Sequence, residues 1–438
     1  MHPKQRVSIP AFFGRLFIPL LSAISFAVTL NCAAAPKFVV TPDVESGVYE
    51  PGAKVTWNVV ATEDGKPLEG KINFNVMKGG LTELSSGSTE LKDGKAQISG
   101  SRDNPGTILL TLKYKAADDA KEVVARGGAA FAPKKIMASE PPPADFDSFW
   151  KSKIAELDAV PMNVKLERVD VGDTNIEYFK ITMDNIRGSK IQGQIARPAG
   201  KHNLPALLQV QWAGVYPLQR DWVLGYARKG WISLNISAHD LPIDETASFY
   251  AEKNKTDLND YPGIGNDDRE KSYFLRMFLS CRRAVDYLAQ DPDWDKKALV
   301  VHGGSQGGYQ AIVTAGLHPA VTAFAASVPA GCDHTGKIAG RLPGWPNWAS
   351  RTWQKKDEQK MLETSRYFDA MNFATRAKCP SLIGMGLVDT TCPSEGVFAT
   401  INQLKGPSEV IIMPLADHGG DHKIYNMALG PFLEKQKK

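Results

Sequence analysis

The apolar positions of this chain fall into two rhythms. From about residue 37 to residue 135 they come in short strand-length runs at 37–41, 54–60, 71–76, 95–98 and 107–114. The turn pairs Pro51-Gly52, Asp64-Gly65, Gly79-Gly80, Asp93-Gly94 and Pro105-Gly106 separate them. Short runs punctuated in this way predict an all-β sandwich of immunoglobulin-like character over residues 36–135. A proline-rich stretch follows, ending in Pro141-Pro142-Pro143, and predicts a stiff linker over 136–144. Phe146, Phe149, Trp150, Ile154 and Leu157 then recur at helical spacing.

The second rhythm fills the rest of the chain, and residues 145–438 form the second domain. Strand-like runs at 164–169, 176–182, 191–197, 206–211, 231–235, 298–302, 323–328, 381–385 and 409–413 alternate with helical stretches, notably 273–290 and 309–316. The later runs are apolar nearly throughout, as strands covered on both faces must be. The first ones are polar enough for an antiparallel edge. The alternation predicts an α/β fold, a mostly parallel sheet with flanking helices behind the small sandwich.

The chain has 438 residues, 43% hydrophobic and 23% charged, a globular balance long enough for two domains. Its formal net charge of +4 comes with no long basic run interleaved with aromatics, so nucleic acid is not an expected partner. At the amino terminus, Lys4, Arg6 and Arg15 precede an uncharged stretch over 16–30 and the small residues Ala33-Ala34-Ala35, a signal-peptide pattern over 1–35. Export to the periplasm or the medium is the expectation, with no membrane span in the mature chain. A retained anchor, or a lipid on Cys32 despite Asn31 before it, stays open as an alternative. The five cysteines match no disulfide framework and include no C-x-x-C pair. No H-E-x-x-H, Walker-type loop or G-x-G-x-x-G occurs either, so no cofactor or metal is implied.

The chemistry concentrates in Gly303-Gly304-Ser305-Gln306-Gly307-Gly308, placed after an apolar strand run and before a helical one. This satisfies G-x-S-x-G, the sharp strand-to-helix turn that exposes a nucleophilic serine in the α/β-hydrolase fold. The glycines let the turn close, and the helix start makes the amide of Gln306 a natural oxyanion donor. A serine needs a base, and the base an orienting acid, in the chain order serine, acid, histidine. His418, in the loop after the run 409–413, is the candidate base, with His422 as fallback. Asp389, just past the run 381–385, is the candidate acid. A second oxyanion amide is expected after the run 206–211, near Gly214 or Val215.

Several of these segments resemble the acetyl xylan esterase and cephalosporin C deacetylase family of α/β-hydrolases. The likeness begins at Asp145-Phe146-Asp147-Ser148-Phe149-Trp150 and continues through the serine motif, Tyr367-Phe368-Asp369-Ala370-Met371-Asn372-Phe373-Ala374 and Lys378-Cys379-Pro380. It closes with Gly386-Leu387-Val388-Asp389-Thr390-Thr391-Cys392-Pro393 and the loop holding His418. The resemblance implies nucleophile Ser305, acid Asp389, base His418 and oxyanion donor Gln306, with Val215 as second donor when the glycine is aligned. It also implies a serine carboxylesterase that removes small acyl groups such as acetyl from carbohydrates like acetylated xylan. Two segments depart from the family pattern. Trp212-Ala213-Gly214-Val215-Tyr216 stands where a His-Gly-Tyr-like loop is usual, and Ser237-Ala238-His239-Asp240-Leu241-Pro242 replaces an Arg-Gly-Gln-Gly-like segment. Trp212, His239, Trp345 and Trp348 are the candidate substrate-contacting side chains. The rival readings are a same-fold hydrolase for a glucuronoyl ester or a peptide, and a non-catalytic protein that holds glycans on its front sandwich.

Overall fold

A computed structural model describes residues 35–117, 121–350 and 355–437. The expected signal segment, 1–35, lies almost wholly outside the described residues, as does Cys32. Among the described residues no helix is long and apolar enough to cross a membrane.

Residues 37–131 fold into two facing sheets. One carries Lys37–Pro42, Lys54–Glu63, Lys66–Pro67 and Lys95–Ser101; the other carries Val48–Tyr49, Gly70–Lys78, Thr82–Leu91, Gly106–Tyr114 and Val123–Phe131. The alternation seen in the sequence is the cause. In Lys54–Glu63, Val55, Trp57, Val59 and Ala61 point inward and are at most 1% exposed, and Ile72, Val76, Ile108 and Leu110 meet them from the opposite sheet. Two of these strands have no readable pattern. Thr82–Leu91 is polar and exposed along nearly its whole length, held by pairing with Gly70–Lys78. In Val123–Phe131 the central Gly127-Gly128 hides the strand character.

The second domain is built on a nine-stranded sheet. From one edge to the other its strands are Lys165–Arg168, Ile176–Asp184, Lys190–Pro198, Ile232–Ile236, Leu204–Gln209, Trp294–Gly304, Ala323–Ser327, Ser381–Gly386 and Ser408–Met413. The first three pairings are antiparallel and the remaining five parallel, as the polar-then-apolar gradient predicts. Helices Tyr273–Gln290 and Gln306–Leu317 cover one face, and Lys423–Gln436 packs with Asp221–Ala227 near the other. This is the α/β-hydrolase arrangement, with loops at the carboxyl ends of the parallel strands free to carry chemistry.

The proline-rich stretch is not a free spacer. Ile136 is 2% exposed, Asn402 donates to the carbonyls of Pro133 and Ile136, and Arg341 donates to that of Met137. The stretch is therefore fastened along the second domain. Elsewhere, a groove of about 1040 Å³ separates the sandwich turn at residues 41–46 from the loop that follows Ser408–Met413.

Candidate active site

Strand Trp294–Gly304 hands over to helix Gln306–Leu317 through one residue, Ser305. Its backbone sits at φ 55°, ψ −121°, a conformation non-glycine residues rarely adopt and one that must be held by its surroundings. The Ser305 amide donates to the carbonyl of Ser327 at 2.8 Å, and its carbonyl accepts from Ala330 at 3.0 Å. The turn closes only because its flanks are bare: a Cβ on Gly303 would lie 2.7 Å from the Val210 carbonyl oxygen, and one on Gly307 2.5 Å from it.

The serine hydroxyl is met by histidine. His418 Nε2 lies 2.9 Å from Ser305 Oγ, and His418 Nδ1 lies 2.8 Å from Asp389 Oδ2. The other carboxylate oxygen, Oδ1, accepts from the amides of Thr391 and Cys392, both at 2.8 Å. The Asp389 side chain is 1% exposed and that of His418 24%. Three residues far apart in the sequence thus form one continuous hydrogen-bonded chain. Asp389, Cys392 and His418 also place potential ligand atoms within 4.8 Å of one another. The hydrogen bonds already engage both carboxylate oxygens and both ring nitrogens. Burial holds the Cys392 thiol well above its ordinary pKa and hence in the protonated form that binds metals poorly.

The loop after strand Leu204–Gln209 is tied to the serine helix. The Gln211 carbonyl accepts from Gln310 Nε2 at 2.9 Å and from Gln306 Nε2 at 3.4 Å. Buried Gln306 is itself fixed by the Tyr261 hydroxyl at 2.5 Å. As the first helical residue, Gln306 has no carbonyl in its own helix for its amide to bond, so that N–H is available beside Ser305.

A cleft of about 450 Å³ opens over Ser305, walled by Trp212, Ala213, Trp345, Thr391, His418 and His422. Trp212 is 44% exposed, stacks on Tyr216 with ring centroids 5.1 Å apart, and meets Trp222 edge-on at 5.1 Å. Trp345 is held through its amide by the Thr391 carbonyl at 2.7 Å.

The side chains of three expected residues do not line the cleft. Val215 is half-buried against the hydrophobic core, and the cleft wall at that level is formed by Trp212 and Ala213. His239 is 3% exposed, 3.0 Å from the Gly214 carbonyl through Nε2 and 2.7 Å from the Tyr273 hydroxyl through Nδ1. It is not part of the cleft wall. Burial lowers its pKa to about 4, so it is a neutral imidazole that donates to the loop carbonyl and accepts from the tyrosine. Trp348 is 2% exposed and stacks on His334 in the interior. His422, considered only as a fallback base, instead borders the cleft, with Nε2 on the Asp417 carbonyl at 3.0 Å.

Comparison with known proteins adds the decisive observation: the acetyl xylan esterase (AXE1) family model matches residues 133–435. The chain belongs to that family. The esterase is 30% identical over 422 residues to the acetyl esterase Axe7A of Xylanibacter ruminicola, across 95% of this chain and 94% of that protein. An alignment of that extent takes in the front sandwich. The acetyl xylan esterase of Paenibacillus sp. R4 superposes with a TM-score of 0.60 at 25% identity, over 69% of this chain and 98% of its own. Acetyl xylan esterase 1 of Thermoanaerobacterium sp. JW/SL YS485 shares the fold, with a TM-score of 0.60 at 21% identity over 69% and 97%. The esterase is accordingly a carboxylic ester hydrolase of the α/β-hydrolase fold.

Proposed function

We propose that this esterase removes acetyl groups from acetylated carbohydrates, xylan-type chains foremost, through an acyl-enzyme on Ser305. The observation that carries the reading is the unbroken Ser305–His418–Asp389 hydrogen-bond chain at the floor of an open cleft. His418 takes the hydroxyl proton as Ser305 attacks the ester carbonyl, then delivers it to the departing sugar oxygen. Water, activated by the same imidazole, then releases acetate. Asp389 keeps the proton-bearing Nδ1 pointed away from the serine. The negative oxygen formed on attack is received by the Gln306 amide and by an amide of the loop at residues 212–215, each donor worth about 3 kcal/mol of transition-state stabilisation.

The aromatic stack at the cleft mouth supports a sugar as the alcohol part of the ester. Trp212, braced by Tyr216 and Trp222, offers a flat, rigid apolar face next to Ser305, a surface suited to the apolar face of a pyranose ring. The export pattern at the amino terminus fits a protein whose substrate is an extracellular polymer or its fragments. The test is acetate release from acetylated xylo-oligosaccharides, measured beside 4-nitrophenyl acetate and a methyl glucuronate ester, with Ser305→Ala as control. Cleavage of the glucuronate ester in preference to both acetates would overturn the reading.

A further inference from the structure

We propose that the front sandwich is a positioning element of the active site: it clamps residues 387–395, the segment that carries Asp389, and so sets where that carboxylate meets His418. The proposal rests on the catalytic reading of Ser305, His418 and Asp389 given above. It assigns the sandwich a mechanical role in place of a spacer or a sugar-binding module.

The segment leaves the sheet after strand Ser381–Gly386 and enters helix Ser394–Ile401. The sandwich holds it at both ends. At the start, the backbone of Gly128 lies so close to Leu387 that a Cβ there would stand 2.3 Å from the Leu387 carbonyl oxygen. A Cβ on Gly47 would stand 2.6 Å from Leu387 Cδ1 and 3.4 Å from Pro414 Cβ, on the loop leading to His418. Gly47 and strand Val123–Phe131 are locked together by the Ala130 amide on the Gly47 carbonyl at 2.8 Å. Leu387 therefore rests in a notch whose walls are sandwich backbone, with no flexible side chain to yield.

At the far end, the carboxylate of Glu395 is 4% exposed; among the described residues its hydrogen-bond donors all come from the sandwich, and Arg341 of the second domain stands 4.0 Å away as a further cation. Arg102 supplies Nη1 at 2.7 Å and Nη2 at 3.2 Å; Thr107 supplies its amide at 2.7 Å and its hydroxyl at 3.0 Å. Charge-assisted bonds to a buried carboxylate are short and directional, and a group so desolvated cannot exchange them for water. Between these anchors, Asp389 is bonded through Oδ1 to amides of its own segment, so segment and carboxylate move as one block. Thr391 passes the same constraint to Trp345 across the cleft.

The experiment uses the full chain and 4-nitrophenyl acetate, an ester too small to need a glycan site. Glu395→Gln keeps the side-chain shape but removes the charge, and Gly128→Ala pushes on Leu387. Because a displacement of about 1 Å at a reacting group can cost on the order of a hundredfold, kcat is expected to fall about 10–100-fold in either variant, with KM within about threefold. The acid limb of the kcat/KM profile is expected to move to lower pH, because an imidazole that has lost its carboxylate gives up its proton more readily. Loss of a merely structural contact would lower the melting temperature and leave that limb in place. Cooperatively folded variants with wild-type kcat and pH profile would overturn the clamp. If Gly128→Ala does not fold, the isosteric Glu395→Gln decides. Ser305→Ala separates the two levels. A variant still active without that hydroxyl refutes the catalytic reading itself, whereas a dead Ser305→Ala beside a fully active Glu395→Gln refutes only the clamp.

Discussion

Replacing Asp389 by asparagine tests the hydrogen-bond chain at its most constrained point. Oδ1 of Asp389 accepts two backbone amides, from Thr391 and Cys392, each at 2.8 Å. An asparagine can satisfy both only with its carbonyl oxygen on that side. Its NH₂ must then occupy the Oδ2 position, 2.8 Å from His418 Nδ1. A donor there forces Nδ1 to accept, which moves the imidazole proton to Nε2, the nitrogen facing Ser305. In that tautomer His418 cannot take the serine proton. Flipping the amide restores an acceptor toward His418 only by turning NH₂ against two N–H groups. Both orientations are penalised, so the variant has no inexpensive escape. Wrong-tautomer substitutions of this kind lower kcat by about 10⁴-fold, or about 5.5 kcal/mol in the barrier. The assay is the kcat of Asp389→Asn on 4-nitrophenyl acetate, with thermal unfolding to show that the fold survives the near-isosteric change. A folded variant retaining a tenth or more of wild-type kcat would show that Asp389 does not set the tautomer.

Ser305→Ala is expected to abolish both acetate release and covalent labelling by a fluorophosphonate probe, read by intact-protein mass spectrometry. Trp212→Ala removes a stacking face worth about 1 kcal/mol, so KM for acetylated xylo-oligosaccharides is expected to rise about fivefold, and by less for 4-nitrophenyl acetate. Gly307→Ala drives a methyl group to 2.5 Å from the Val210 carbonyl oxygen, and overpacking of that kind is expected to cost about 3 kcal/mol, seen as a lower denaturation midpoint. His239, His302 and His334 all have pKa values lowered to about 4 by burial. The unfolded chain therefore binds protons that the folded chain refuses, and stability is expected to fall as pH drops from about 6.5 toward 4. His302→Phe, at a ring in edge-on contact with Tyr226, is expected to flatten part of that fall in pH-dependent melting curves.

Local pattern carried most of the fold. All nine strands of the large sheet were legible, eight because they bury apolar side chains, whereas Lys165–Arg168 is exposed throughout and is held by pairing with Ile176–Asp184; the helix Tyr273–Gln290 keeps its stripe through its whole length. Ser305, Asp389 and His418 were legible because the fold delivers each at a strand's carboxyl end, where short motifs mark them. What stayed hidden depends on contacts between distant positions. Glu395 reads as one more helix-start acid until it meets Arg102, 293 positions away. Trp348 and His239 are residue types that suit a sugar site, and nothing in their neighbourhoods says that the core takes them instead. Strand Thr82–Leu91 has no buried face to give it a period, and Pro141-Pro142-Pro143 shows stiffness without showing what the stretch lies against.

The segment bearing His418 has open space on two sides, the cleft on one and the large groove on the other. Leu415, Asp417, Gly419, Gly420 and Asp421 are all exposed, so few apolar contacts resist local opening there. On warming, this stretch should loosen while the sheet of packed strands beneath it is still intact. Heat-inactivated protein would then retain its far-ultraviolet signature and regain turnover on cooling, and loss of function would precede melting by several degrees.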